Sequence, residues 1–184
     1  MPLIKTNCFL FFLLAAATLI SHTWVNQYEQ TGPELLMTQW KFKKAESNRV
    51  DITKNGLNLS ANDAKTGVST RQDLPLVNSG TTLLISADVK STNVVAGEKP
   101  WNLARIILAQ NDGEKDRWDL PSTVVALTGT TDWKHYRSAF TISPETKNIR
   151  LLAQLNQSTG SFQIKNFQVY PVHVNQAYIG ARDT

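Results

Sequence analysis

The stretch that decides the fold is TLLISADVKS, residues 82–91. Leu83, Ile85, Ala87 and Val89 occupy alternate positions, and Ser86, Asp88 and Lys90 fall between them. A side-chain period of two buries one face of a β-strand and leaves the other in water. NIRLLAQL, residues 148–155, repeats the scheme with Ile149, Leu151, Ala153 and Leu155 inward. ARIIL, residues 104–108, is apolar on both parities, which suits a central strand covered on both sides. In GTTDWKHYRSAFTI, residues 129–142, the alternation hides Tyr136, Phe140 and Ile142 and turns His135 and Arg137 outward.

Outward from these segments, period-two patterns recur near 37–43, 56–61, 67–74, 122–127 and 161–170, and no long stretch has helical spacing. Turn residues separate the runs: Asn78-Ser79-Gly80, Gly97 to Pro100, Asp112-Gly113, Ser143-Pro144 and Ser158 to Gly160. Asp112-Gly113 is the strongest hairpin signal. SFQIKNFQVY, residues 161–170, changes parity between Ile164 and Phe167, so a β-bulge is expected at Lys165-Asn166. About nine strands without helices predict an all-β domain, an antiparallel β-sandwich of the jelly-roll kind.

The 184 residues suit one such domain, and 41% hydrophobic with 18% charged residues is globular rather than disordered. The net charge of +4 is scattered, with Lys41, Lys43 and Lys44 the nearest thing to a run, so nucleic acid is not expected as a partner. The N-terminus is a different material. Lys5 precedes an apolar run from Cys8 to Ile20, short for a membrane span and suited to a signal-peptide core. Continued to Trp24 and Val25, the same run fits an uncleaved signal anchor forming one hydrophobic helix. Both alternatives put the rest of the chain outside the cytoplasm. The first places the domain, once the segment is cleaved, in the periplasm or in the secreted fraction; the second holds it on the periplasmic side of a bacterial inner membrane. Cys8, the sole cysteine, excludes an internal disulfide and precedes the apolar run, where a lipid-bearing cysteine would follow it. The expected organisation is therefore 1–25 as anchor or signal peptide, 26–34 as a linker around Gly32-Pro33, 35–172 as the sandwich and 173–184 as a tail.

The order of these features resembles the carbohydrate-binding modules of the family 4 and 9 type, which have a galactose-binding-like jelly roll. The resemblance rests on Trp133, Tyr136 and Phe140, then on Gly160, Phe162, Ile164 and Asn166 in the last strand. It spans about residues 35–172 and concerns core and turn positions, so it implies the fold and not a particular sugar. Many such modules hold a structural calcium through an acidic residue in the last strand. Here Lys165 stands in that place and PELLMTQWKF, residues 33–42, lacks the acidic opening, so neither metal nor other cofactor is expected.

Few residues look like chemistry. Asp112, Glu114, Asp116 and Asp119 cluster around a turn rather than facing one another across a cleft, as glycoside hydrolysis requires. His22, His135 and His173 have no metal-ligating spacing, and there is no phosphate loop or nucleophile elbow, so an enzyme is not expected. Sugar binding calls for an aromatic plane beside planar hydrogen-bonding groups. Arg117, Trp118 and Asp119 have that composition in a loop, and Trp101 is a second loop aromatic. Each tryptophan has the competing role of closing an end of the core. Trp40 and Trp133 are expected in core or edge packing. His135 and Arg137 form an outward face, with Arg150, Gln154 and Asn156 as possible neighbours, which is either a glycan cradle or plain wet surface. The functional expectation is a non-catalytic module that binds or guides a polysaccharide or oligosaccharide. The alternative is a structural β-sandwich docking on a partner protein in a bacterial envelope complex.

Overall fold

The structure, a computed structural model, describes residues 23–36, 40–42, 48–53 and 56–179. Of the expected anchor helix, residues 1–25, positions 1–22 lie outside the described residues and 23–25 open a strand. The strands are β1 (Thr23–Gln30), β2 (Lys41–Phe42), β3 (Asn48–Thr53), β4 (Gly56–Ala61), β5 (Val68–Leu74) and β6 (Thr82–Val95). They continue as β7 (Ala104–Asn111), β8 (Thr123–Leu127), β9 (Gly129–Thr141), β10 (Asn148–Leu155) and β11 (Thr159–Ile179). There are thus eleven strands among the described residues where the alternation shows about nine. The additions are β1, in the segment expected to end the anchor and begin a linker, and β3, whose NRVDIT carries two charges in six residues. β11 also runs on to Ile179, through part of the expected tail.

Contacts divide the chain into two units. In the smaller one, residues 1–27 and 176–184, the described residues are the first part of β1 and the end of β11. The larger, Tyr28–Asn175, is an antiparallel two-sheet sandwich. One sheet runs β3-β4-β11-β6-β9, with β1 also pairing β11, and the other runs β2-β5-β10-β7-β8. In each sheet the residues of one parity meet in the middle. Leu83, Ile85, Ala87 and Val89 are fully buried, and so are Leu151, Ala153 and Leu155 opposite, with Ile149 beside them. Phe162 and Leu59 complete this core from β11 and β4. Burying each such side chain contributes about 1.5–3 kcal/mol, and here no disulfide assists.

The bulge falls where the parity change puts it. Between Lys165 and Gln168 the β11–β6 register slips, and Asn166 takes φ +50°, a left-handed conformation that asparagine tolerates. That one extra residue keeps both Phe162 and Val169 in the core. Several polar groups that enter the interior are paired there. The Asn48 carboxamide, 6% exposed, donates to the Gly67 carbonyl at 2.6 Å and to Thr66 Oγ1 at 2.7 Å, pinning the β4–β5 loop. Gln110 Oε1 accepts from the Ser143 amide at 2.8 Å and from Thr146 Oγ1 at 2.7 Å, which ties the end of β7 to the β9–β10 turn.

Candidate functional site

Because paired residues in a sheet project to the same side, the register fixes what each outer face carries. On the five-stranded sheet, Lys41 lies beside Arg71, Arg71 beside Leu152, and Leu152 beside Ile107. The adjacent outward rows are Asp73, Arg150 and Ala109, then Ser69, Gln154 and Arg105. Three arginines therefore share one face. Ile107 and Ala109 are 1% exposed although they point outward, being flanked by Leu152 and Arg150. The face has an apolar spine with guanidinium groups around it.

The arginines differ in their partners. A guanidinium can only donate, so the Gln154 amide turns its oxygen to Arg105 and accepts from Nε at 2.6 Å and Nη2 at 2.9 Å. Arg105 is half-buried with no carboxylate partner among the described residues, and burial alone lowers its proton affinity, though a guanidinium keeps its charge near neutrality. Arg150 Nη2 donates to Asp116 Oδ1, and its Nε is buried without any acceptor among the described residues. An orphaned buried donor costs about 1–3 kcal/mol, and more when charged. The Arg71 side chain makes no hydrogen bond or ion pair within the described residues, yet it stands close enough to Asp73 to help lower that carboxyl's proton affinity. The chief cause of that lowering is Lys41, whose Nζ is 2.6 Å from Asp73 Oδ2. At this end of the sheet lies a cleft of ≈ 390 Å³, lined by Arg71, Arg150, Lys147, Asp73, Asn148 and Leu76 among others.

Two loops bracket the face, one at each end of β7. The loop before it is held by Asn102, which is 2% exposed and donates through Nδ2 to Gln157 Oε1 at 3.0 Å. Its amide donates to the Lys99 carbonyl, and the Gly97 amide donates to the Asn102 carbonyl, both at 2.8 Å. Gly97 packs so closely that a Cβ would stand 2.2 Å from the Gln157 carbonyl oxygen. This loop presents Trp101, 51% exposed, with Lys99 Nζ 5.4 Å from the ring centroid. The loop after β7 begins with a tight turn in which Asp112 Oδ1 accepts the amides of Glu114 and Lys115, while Gly113 takes φ +106°. Asp116 then accepts from Asn111 Nδ2 at 3.1 Å and from Arg150, docking the loop on the sheet. Trp118 follows at 58% exposure.

The sequence candidates can now be placed. Arg117 bridges Asp119, with Nη2–Oδ2 at 2.7 Å, and Glu145. These bonds raise the Arg117 proton affinity and hold the Asp119 carboxyl down at about 2. Both side chains thus brace the loop that presents Trp118. Arg117, Trp118 and Asp119 are together, Trp101 is at the other end of β7, and both tryptophans are open to solvent rather than closing the core. His135 and Arg137 lie elsewhere, on the outer face of the six-stranded sheet. Their expected neighbours Arg150 and Gln154 belong to the other sheet, on the opposite side of the sandwich, and Asn156 follows β10 and donates to the Trp101 carbonyl at 3.2 Å. Parity along a strand gives a residue's side but not its sheet, which is why these two sets looked continuous. His135 Nδ1 is 2.8 Å from Asp88 Oδ1, Asn166 donates to Asp88 Oδ2 at 2.6 Å, and Arg137 stacks on Tyr28 with Cζ 5.4 Å from the ring centroid. Trp133 is 41% exposed on edge strand β9, outside the core, with Lys165 Nζ 4.2 Å above its ring. Trp40 does pack inward, 5.6 Å from Phe167 between ring centroids. Among the described residues no group of three His, Cys, Asp or Glu side chains is placed to hold a metal ion.

Arg71 and Arg105 were not singled out by the sequence, and Arg150 was named only as a possible neighbour of His135 and Arg137. The signal was present in VSTRQDL and ARIIL, where each arginine sits on the outward parity, but only the register joins them.

No protein-family model matches the sequence, and no curated protein does. Among solved structures, the chain is similar to a family 4 carbohydrate-binding module, with TM-score 0.51 and 16% identity over 72% of this chain and 86% of that one. It is also similar to a family 22 xylan-binding domain from Paenibacillus barcinonensis, with TM-score 0.52 and 19% identity over 78% of this chain and 97% of that one. The fold is that of the carbohydrate-binding modules.

Proposed function

We propose that the protein is a non-catalytic carbohydrate-binding module, holding a polysaccharide along the outer face of its five-stranded sheet. The apolar run from Cys8 to Ile20, preceded by Lys5, supports display of the module on the outer side of a membrane. The observation that carries the binding function is the composition of that face. Eight residues of β7 extend about 25 Å at a strand rise of about 3.3 Å per residue, with an exposed tryptophan in the loop at either end. Between them stand planar donors and acceptors: Arg71, Arg105, Gln154, Arg150 and Asn148. A pyranose ring offers an apolar face to an aromatic plane and hydroxyls to such groups. The likeness in fold to carbohydrate-binding modules supports the same assignment.

Catalysis has no comparable support. Asp112 caps a turn, Asp116 secures Arg150, and Asp119 secures Arg117, so these carboxylates have structural employment and do not oppose one another across the cleft.

The test is affinity electrophoresis of the full-length protein through gels containing neutral and acidic polysaccharides. Retardation by one class is expected, weakened about tenfold in Trp101→Ala or Trp118→Ala, since stacking on one ring contributes roughly 1–2 kcal/mol. Unchanged circular dichroism would show the variants folded. Migration indifferent to every polymer would refute the module.

A further inference from the structure

We infer that the polysaccharide is acidic, and that the cleft where β5 ends and β10 begins reads a carboxylate on its sugars. This deepens the binding function just proposed and rests on it. The first support is the balance of charge. Arg71, Arg150 and Lys147 line the cleft, and its one lining carboxylate, Asp73, is already neutralised by Lys41 at 2.6 Å. Arg150 is paired with Asp116, but Arg71 and Lys147 gather beside it without an ion-pair partner among the described residues. A surface built for a neutral glycan has no use for such cations, because like charges brought together repel.

The second support is unspent hydrogen-bonding capacity. Arg150 is fixed in place by Asp116 through Nη2 while its Nε donor is buried and unpartnered. The Arg71 and Lys147 side chains make no hydrogen bond or ion pair within the described residues, and neither does the Asn148 carboxamide. Arg71 and Arg150 occupy diagonal positions on neighbouring strands, about 7–8 Å apart, a span that one carboxylate between two guanidinium groups bridges. The third support is Leu76, which lines the same cleft and is 56% exposed, offering apolar surface for a ring face beside the charged group. Half a sheet away, Arg105 is a half-buried guanidinium with no acid partner among the described residues, so a second sugar along the chain meets a second cation.

The experiment compares binding of polygalacturonate and alginate, the same polymers with their carboxylates reduced to primary alcohols, and dextran sulfate, by isothermal titration of the full-length protein. The expected result is binding to a carboxylated polymer, at least about tenfold weaker for its reduced form. The variants Arg71→Gln and Lys147→Gln should each weaken the carboxylated polymer about tenfold and leave the reduced form unaffected. Equal affinity for acidic and reduced forms overturns the inference and leaves the module standing. Equal or tighter binding of dextran sulfate, insensitive to both substitutions, overturns it as charge attraction alone. Binding to none of these, nor to any neutral polysaccharide, refutes the module beneath it.

Discussion

The two outer faces of the sandwich carry similar residues and treat them in opposite ways. On the six-stranded sheet the polar and charged groups of the outer face close on neighbours: His135 and Asn166 on Asp88, Lys90 on Asp132 at 3.2 Å, Lys165 on Trp133, Arg137 on Tyr28. On the five-stranded sheet Arg71 and Lys147 close on nothing among the described residues, Arg105 has only an amide, and Arg150 keeps an unused donor. Composition alone does not separate these faces, since both have cations and a nearby tryptophan. Satisfaction does. A face whose polar groups satisfy one another is finished in water, whereas unmatched donors around a cleft are satisfied by a ligand.

The sharpest way to break this contrast is to reverse charge on each face in turn. Arg71→Glu with Lys147→Glu should weaken an acidic polysaccharide by about a hundredfold or more, because like charges brought into contact cost several kcal/mol. Arg137→Glu with Lys165→Glu makes the same change in net charge on the other face and should move affinity by no more than about twofold. Titration at fixed ionic strength measures both. Equal losses would mean that only the overall charge of +4 matters, and the distinction between faces would fall.

The sandwich itself was legible in the sequence because a strand's alternation is local. TLLISADVKS and NIRLLAQL declare their buried faces, and the parity change in SFQIKNFQVY declares the bulge at Lys165-Asn166. β3 was not legible, since NRVDIT lies at a sheet edge where both faces are partly wet and the alternation fades. The candidate face was half legible. The loop tryptophans announce themselves by type and turn context. That Arg71, Arg105 and Arg150 stand together, and apart from His135 and Arg137, depends on pairings of residues up to 81 positions apart, as in Arg71 opposite Leu152. No window of sequence contains that.

A smaller effect separates the two faces through their glycines. Gly97→Ala would drive a Cβ to 2.2 Å from the Gln157 carbonyl oxygen and 2.9 Å from Asn102 Cβ, at a cost of about 1–3 kcal/mol. Gly129, at the start of β9, has nothing within 4 Å of such a Cβ, and only its φ of +70° resists, worth about 1 kcal/mol. Thermal unfolding should therefore rank Gly97→Ala below Gly129→Ala, by a few degrees for a domain of this size. The reverse order would show that the Trp101 loop is not packed onto the β10 end.

The smallest effect concerns the brace under Trp118, and its sign follows from linkage. Asp119 is held at about 2, below its ordinary 3.8, chiefly by the hydrogen bonds from Arg117. A carboxylate with lowered proton affinity contributes stability that is complete above its ordinary value and is lost as pH falls through the folded one. The Arg117–Asp119 bridge should thus be indifferent to pH from neutrality down to about 4 and open between about 4 and 2. Because Trp118 sits between the two partners, its emission should shift over that window, read as the difference between the protein and Trp118→Phe. Asp119→Asn should abolish the shift while leaving the acid response of the six-stranded face, where Asn166 and His135 hold Asp88 low, unchanged. A Trp118 transition that persists in Asp119→Asn would mean that Glu145, the other partner of Arg117, carries the brace.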